Sequence, residues 1–346
     1  FKGSLTSRQA GNAMRKGLLE RYPGADITVV PVADGGEGTV EALAGRKVRC
    51  TVANPLLRPI SAEYAIAGHT AIIEMAAACG LTLLTPAERN PLRTSSYGFG
   101  QMIAHAWQRG IRHFLIGLGG SATCDGGLGM LSALGMDCGT SRPDGACMEA
   151  VESISGTLLC SGARFDIACD VDNPFYGPEG AACVFAPQKG ASPQDVASLD
   201  RGLRNLASVI LRQTGTDVQA IPGAGAAGGT GGAMAAFLGA RIRNGAETVL
   251  GLIGFDSIIR GADLIVTGEG CLDSQTLRGK LPAGVLAAAK RMGIPVIAVG
   301  GRVEALPMLL KAGFSRVVAA TPPGQPLDEA MREHIATANI INALRI

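Results

Sequence analysis

The sequence predicts an α/β protein of two domains, in which both chain ends build a parallel sheet and the middle builds a mixed α/β domain. Strand-length apolar runs alternate with helical periodicity at the two ends, the βαβα rhythm of a parallel sheet covered on both faces. From Val48 to Ala76 that rhythm yields to short alternating runs separated by Pro55, Pro59 and Gly68, as in antiparallel strands. The 346 residues, 47% hydrophobic and 17% charged, are enough for two substantial cores. Residues 1–46 with 256–346 are expected to form one domain and 47–255 the other.

The elements follow in order. Ser4 or Thr6 caps a first helix running to about Arg21, because Ala10, Met14, Leu18 and Leu19 recur at helical spacing. Ile27–Val32 reads as a strand, and a helix begins over Gly38–Leu43. Val48–Val52, Ala62–Ile66 and Ala71–Met75 are the antiparallel runs. Thr94–Arg109 is an amphipathic helix carrying the only tryptophan, Trp107, as a packing residue. Phe114–Leu118 and Ile167–Asp170 are strands. Ser192–Gln213 is a helix with a capping Ser, Pro193 behind it, and Leu199, Leu203, Leu206 and Ile210 on one face. The end of the chain reads strand Leu264–Thr267, helix Ala283–Met292, strand Pro295–Val299, helix Leu306–Ala312 and strand Val317–Ala320.

Composition narrows the function classes. A net charge of +2 and the lack of a basic run interleaved with aromatics argue against nucleic acid. No apolar run reaches the roughly 18 residues a membrane helix needs. The chain starts at Phe1 without Met, so a native N-terminus is expected to precede it. Nine cysteines, an odd number without a Cys-x-x-Cys pair, and four histidines off metal-ligand spacing fit reduced thiols in a cytoplasmic protein.

Three segments share one design, a β-type run breaking into glycines that carry an acid: Ile27–Gly38 with Asp34 and Glu37, Phe114–Gly127 with Asp125, and Leu264–Asp273 with Glu269. Glycine at a strand end lets backbone N–H groups approach a ligand, and a following helix presents its positive end there. Carboxylates beside such loops repel phosphate unless a hard cation lies between, so the pairing points to Mg²⁺, nucleotide phosphates and phosphoryl transfer. Gly117-Leu-Gly-Gly-Ser-Ala-Thr123 suits a phosphate or substrate loop through Gly119, Gly120 and Ser121. It resembles the glycine-serine loop of the galactokinase and homoserine kinase superfamily, except that Asp125-Gly-Gly stands where those loops enter a helix. Asp170 and Asp172, two apart, share a face if their strand continues, an arrangement for one metal or for a base beside a metal. Lys189, on the turn after Pro187, offers a cation, as do Lys2 and the Ser4 hydroxyl before the first helix. Gly223-Ala-Gly225-Ala-Ala-Gly228 formally matches the dinucleotide fingerprint, but only Val218–Ile221 precedes it as a candidate strand.

Taken together, Phe1–Leu5, Pro31–Thr39, Gly117–Thr123, Cys169–Pro174, Pro187–Ala191, Pro222–Gly229 and Thr267–Gly270 resemble the glycerate kinase family over nearly the whole chain. The resemblance implies an ATP- and Mg²⁺-dependent kinase that phosphorylates D-glycerate to 2-phosphoglycerate. It also implies a flavodoxin-like domain from both chain ends and a middle domain likened to restriction-enzyme folds. Cys124 stands where the family leads us to expect Asn, and Cys271 where we expect Arg, a candidate clamp for the substrate carboxylate.

The reaction is expected in the cleft between the domains. Asp34, Asp170, Asp172, Lys189 and Lys2 are the catalytic candidates, with Glu37 and Glu269 on the metal. Gly119, Gly120, Ser121, Gly225, Gly228 and Gly268 are expected on the nucleotide. Ser4, Asp125, Arg278 and Lys280 are expected on the substrate, the last two replacing the clamp lost at Cys271. A homodimer is compatible with the sequence. Two rivals stay open, a nicotinamide oxidoreductase using Gly223–Gly228 and a non-catalytic nucleotide or sugar-acid sensor.

Overall fold

A computed structural model describes residues 1, 3–32, 45–277 and 279–345. Lys2, Asp34, Glu37, Arg278 and the helix expected over Gly38–Leu43 therefore lie outside the described residues. The chain forms two compact units, one from its two ends and one from its middle. The end-built unit takes in residues from Gly245 onward, earlier than the expected 256. Leu250, on the helix Gly245–Leu252, joins a core with Val285, Leu286 and Val296, which explains the shift.

The strands are β1 (Arg46–Ala53), β2 (Pro59–Ala67), β3 (Thr70–Glu74), β4 (His113–Gly117), β5 (Arg164–Ala168) and β6 (Arg241–Arg243) in the middle unit. The end-built unit contributes β7 (Ile265–Leu272), β8 (Val296–Val303) and β9 (Arg316–Ala319). β1 to β6 form one sheet in sequence order. The first two pairings are antiparallel, with Cys50 opposite Ala62 and Ala65 opposite Ile72. The other three are parallel, with Ile72 opposite Leu115, Leu115 opposite Asp166 and Ile167 opposite Ile242. Phe114 and Phe165 face each other across β4 and β5 with ring centroids 4.7 Å apart, a stacked pair at the heart of the sheet.

In the end-built unit β8 lies between β9 and β7, parallel to both. Val296 and Ala298 join one core cluster while Val299 joins another with Met14, Ile340 and Leu344. That alternation is the two-sided burial of a parallel sheet. The expected strand Ile27–Val32 is irregular instead. Val32 donates its amide to the Ser7 hydroxyl of the helix Ser7–Arg21, and five of the six residues are only partly buried with Thr28 exposed.

Helix ends follow their capping chemistry. Thr6 and Gln9 form a capping box before Ser7–Arg21, and Ser192 with Asp195 does so before Pro193–Thr214, which stops at left-handed Gly215. The helix expected from Thr94 starts only at Tyr97. Thr94, Ser95 and Ser96 are fully buried and spend their hydroxyls elsewhere, on the carbonyls of Ala122 and Pro143 and on Asp125. Trp107 packs on the middle core with the Arg112 guanidinium stacked on its ring. Among the described residues no helix is long and apolar enough to cross a membrane.

Candidate active site

In the middle unit the parallel strands β3, β4 and β5 end together at Glu74, Gly117 and Ala168, and ligands of open α/β sheets bind beyond such ends. Beyond β4, Gly119 and Gly120 are exposed, and among the described residues their amides donate no hydrogen bond. The chain then dives inward. Ser121 is 7% exposed and Thr123, Cys124 and Asp125 are fully buried. Backbone bonds from Leu81 to the Gly120 carbonyl and from Ala122 to that of Cys79 hold the descent in place.

Lys189 closes this loop from another segment. The short turn Pro187–Lys189, fixed by Pro187 and ended by left-handed Gly190, aims a 3%-exposed ammonium inward. Its Nζ donates to the Ser121 hydroxyl at 3.1 Å and to the Thr123 carbonyl at 2.7 Å. Burial pushes the Lys189 ammonium below its ordinary pKa, while the nearby Asp125 carboxyl pulls it back up. Burial likewise pushes the Cys124 thiol up to about 12, so it sits in the loop as a neutral group. The Thr123 hydroxyl is buried without a partner.

One further glycine segment, Gly223–Gly229, bridges this loop and the turn beyond β5. Gly126 donates its amide to the Gly228 carbonyl at 3.0 Å, and Gly225 donates to the Asn173 carbonyl at 3.0 Å. Gly228 has φ +68°, and a Cβ there would come within 2.3 Å of the Thr123 carbonyl oxygen, so no side chain fits. Gly225 and Gly228 thus hold the loops together by close approach. The dinucleotide reading loses its strand here, because Val218–Ala220 is a single 3₁₀ turn.

Asp125 does not face outward as a substrate contact. Its Oδ2 accepts from the Ser96 amide and hydroxyl, both at 2.7 Å, and from the Gly129 amide at 3.1 Å, while Oδ1 accepts from the Gly127 amide at 3.2 Å. Burial pushes its carboxyl above the usual carboxylate range despite those four donors. Asp125 is the anchor on which the loop turns. Asp170 and Asp172 lie beyond β5, which stops at Ala168, so they do not share a strand face as the sequence suggested. Asp170 is half-buried and Asp172 exposed. Two such oxygen donors suit Mg²⁺, which takes one or two carboxylates and completes its shell with water and phosphate. Among the described residues no group of three or more His, Cys, Asp or Glu forms a metal cage.

The end-built unit holds the remaining candidates. The expected break at Thr267 does not occur, since β7 continues through Gly268, Glu269 and Gly270, with Gly268 opposite Val299 and Cys271 opposite Arg302. Gly268 is therefore a strand position rather than an open phosphate loop. A Cβ there would lie 2.6 Å from both Met14 Cε and the Val299 carbonyl oxygen. Glu269 and Lys280, expected on metal and substrate, engage each other at 3.1 Å, and the Thr276 hydroxyl donates to the second Glu269 oxygen at 3.3 Å. The Ser4 hydroxyl is buried without a partner. An open groove of about 630 Å³ in the middle unit, lined by Tyr97, Gln101, Ser132 and Pro143 among others, contains no charged side chain and none of the expected residues.

Comparison with known proteins gives the family. The family model described as glycerate kinase family matches residues 1–344. The chain belongs to the glycerate kinase family. It is 41% identical to the glycerate kinase of Bacillus subtilis strain 168, over 97% of this chain and 92% of that protein. It is 40% identical to the glycerate 2-kinase of Escherichia coli K12, over 100% of this chain and 94% of that one. A crystal structure described as glycerate kinase 2 from Salmonella typhimurium LT2 superposes with a TM-score of 0.84 at 42% identity, covering 100% of this chain and 94% of that one. The protein is accordingly an enzyme of the kinase class, with the two-domain α/β fold of this family.

Sequence reasoning missed the Thr94–Ser96 run, which supplies the polar lining behind the loop. The signal was three consecutive hydroxyls at the head of an otherwise amphipathic helix. It also missed Arg89, for which no local pattern exists.

Proposed function

We propose that this kinase transfers the γ-phosphoryl group of ATP, with Mg²⁺, to a hydroxyl of D-glycerate and releases 2-phosphoglycerate. The observation that carries the reading is the buried Lys189 ammonium bonded to Ser121 and Thr123, directly behind the free amides of Gly119 and Gly120. Phosphoryl transfer asks a protein for positioning and charge neutralisation rather than covalent chemistry. Preorganised amides and a desolvated cation supply both, because they are already oriented where water is excluded. Lys189 acts on the phosphoryl oxygens through the end of that loop, with Ser121 oriented by its bond to the ammonium.

Asp170 and Asp172 supply the carboxylate that accepts the proton from the attacking hydroxyl, and the other joins the metal ligands. Bound Mg²⁺ would neutralise nucleotide phosphate charge, with oxygen donors from that pair. Glu269 and Ser4, in the end-built unit, and Glu37 and Lys2, outside the described residues, are the further candidates for metal and phosphate. The Lys280 side chain that pairs with Glu269 is 28% exposed, so a ligand can displace it.

The test is ADP release with D-glycerate, ATP and Mg²⁺, followed by ³¹P NMR of the product. A 2-phosphate couples to a single proton and gives a doublet, whereas a 3-phosphate couples to two and gives a triplet. No ADP release, or a triplet, refutes the reading. Glycerol should be a very poor acceptor, because a site built around an anion leaves its cations unpaired with a neutral analogue.

A further inference from the structure

Arg89 follows the short turn Pro86–Glu88, and its backbone lies against the turn that carries Lys189. A Cβ on Gly190 would come within 2.3 Å of the Arg89 carbonyl oxygen and 3.0 Å of its Cβ. The chain from Arg89 then runs along the glycine loop, with Thr94 donating its hydroxyl to the Ala122 carbonyl at 3.0 Å. Among the described residues three buried side-chain polar atoms lack a partner: Arg89 Nε, Thr123 Oγ1 and Ser4 Oγ. Two of the three belong to segments packed around Lys189. Among the described residues Arg89 makes no ion pair, although a carboxylate adjoins it in sequence. Glu88 is taken by Arg58 at 2.7 Å and by the amide and hydroxyl of Thr85, both at 3.0 Å. Asp125 is likewise filled by Ser96, Gly127 and Gly129.

A guanidinium with a buried, unpaired N–H is costly unless something fills it, and its planar fork matches an oxyanion in two-point geometry. We propose that Arg89 is a substrate-binding residue that holds an oxyanion at the Ser121–Lys189 loop, either the carboxylate of the acceptor or a phosphate of the nucleotide. This rests on the kinase reading above, and it supplies the clamp that the sequence search placed at Arg278 and Lys280. Lys280 is already engaged by Glu269, whereas Arg89 Nε has no partner among the described residues.

The experiment compares wild type with Arg89→Gln and Arg89→Lys in steady-state kinetics, varying D-glycerate and ATP separately. It also measures the thermal stabilisation that each ligand gives each protein. Losing a charge-assisted pair should raise one KM about tenfold to a hundredfold. A rise for glycerate identifies the carboxylate as the partner, and a rise for ATP identifies the phosphate. The lysine variant, which keeps the charge and loses the fork, should fall between wild type and glutamine. Both KM values within twofold of wild type in Arg89→Lys and Arg89→Gln overturn the inference, whatever the melting temperatures. Should glutamine prevent folding, an Arg89→Lys variant with unchanged KM values still overturns it. If wild type fails to turn over glycerate, the kinase reading falls, and Arg89 is judged by stabilisation alone. It then survives only if glycerate or ATP stabilises wild type and does so less in Arg89→Lys.

Discussion

Asp125→Ala separates an anchor from a ligand contact. The carboxylate collects three backbone amides and one hydroxyl, all from buried residues. Alanine strands the amides of Ser96, Gly127 and Gly129, while the Ser96 hydroxyl can turn elsewhere. An unsatisfied buried donor costs about 1–3 kcal/mol, so three come to roughly 3 kcal/mol at the low end. That is a large share of the ~5–15 kcal/mol of a whole domain. With an m value of about 1–3 kcal/mol/M in urea, the midpoint should fall by roughly 1–3 M. Trp107, the only tryptophan, packs on the middle core, so its fluorescence reports the unit in which Asp125 lies. Asp125→Asn keeps an acceptor at Oδ2 and sheds the cost of burying a charge, so it should lose much less. The reasoning fails if Asp125→Ala leaves the urea midpoint unchanged while kcat/KM collapses, since that would place Asp125 on the substrate after all.

Further outcomes follow from the same geometry. Lys189→Met should cut kcat/KM by about a hundredfold or more while the protein stays folded, and a loss under threefold in ADP release contradicts its placement. The folded pKa of Lys189 lies below its unfolded value of about 10.4, so the unfolded state binds more protons between the two. Wild type should therefore gain stability over Lys189→Met as pH rises through that window, and urea midpoints at pH 7 and pH 9.5 check the sign. Burial raises the Asp166 carboxyl, but hydrogen bonds from His113, Arg164 and Arg243 outweigh it and hold the pKa below the usual range. Its stabilisation is present above an unfolded pKa of about 3.9 and is lost as pH falls through the folded value. The stability gap between wild type and Asp166→Asn should accordingly close in acid, and a gap that widens rejects the assignment. Glu269→Gln should change stability by less than about 1 kcal/mol, because its pair with Lys280 is partly exposed, yet lower activity; equal kcat/KM removes Glu269 from the site.

Much of the fold was legible because local chemistry and tertiary packing agree there. The helix Pro193–Thr214 starts at its capping box, stops at its glycine and buries Leu199, Leu203, Leu206 and Ile210, as its spacing demands. The three antiparallel runs and the β4 position were equally readable from alternation and β-branched content, whereas β5 starts at Arg164 and ends at Ala168, ahead of the expected Ile167–Asp170. Misreadings arose where a residue's partner is distant in sequence. Ile27–Val32 has every strand preference, yet among the described residues its recorded polar contact is to a helix hydroxyl, and no ladder forms. At Thr267 the glycines suggested a turn. They are instead small residues within a strand that must clear Met14 and the Val299 carbonyl.

The same distinction runs through the site. Glycine spacing marked loops where backbones approach closely, because such approach needs glycine whatever the tertiary context. Spacing could not reveal which side chain of a loop turns inward, since that depends on what packs above it. Gly119 and Gly120 stay exposed, their amides without an acceptor among the described residues, whereas Asp125, a few residues on, is consumed by Ser96 and the amides that follow it. Lys189 was readable as a cation on a restrained turn, but its burial against Ser121 and Thr123 comes only from tertiary contact. Arg89 had no sequence signature, because an arginine between Glu88 and Asn90 looks like a solvated charge. Its importance appears only once Glu88 is seen to be spent on Arg58 and Thr85. In a site read as anion-binding, the informative residue is a partly buried arginine whose Nε is left unpaired while the carboxylate beside it already has partners.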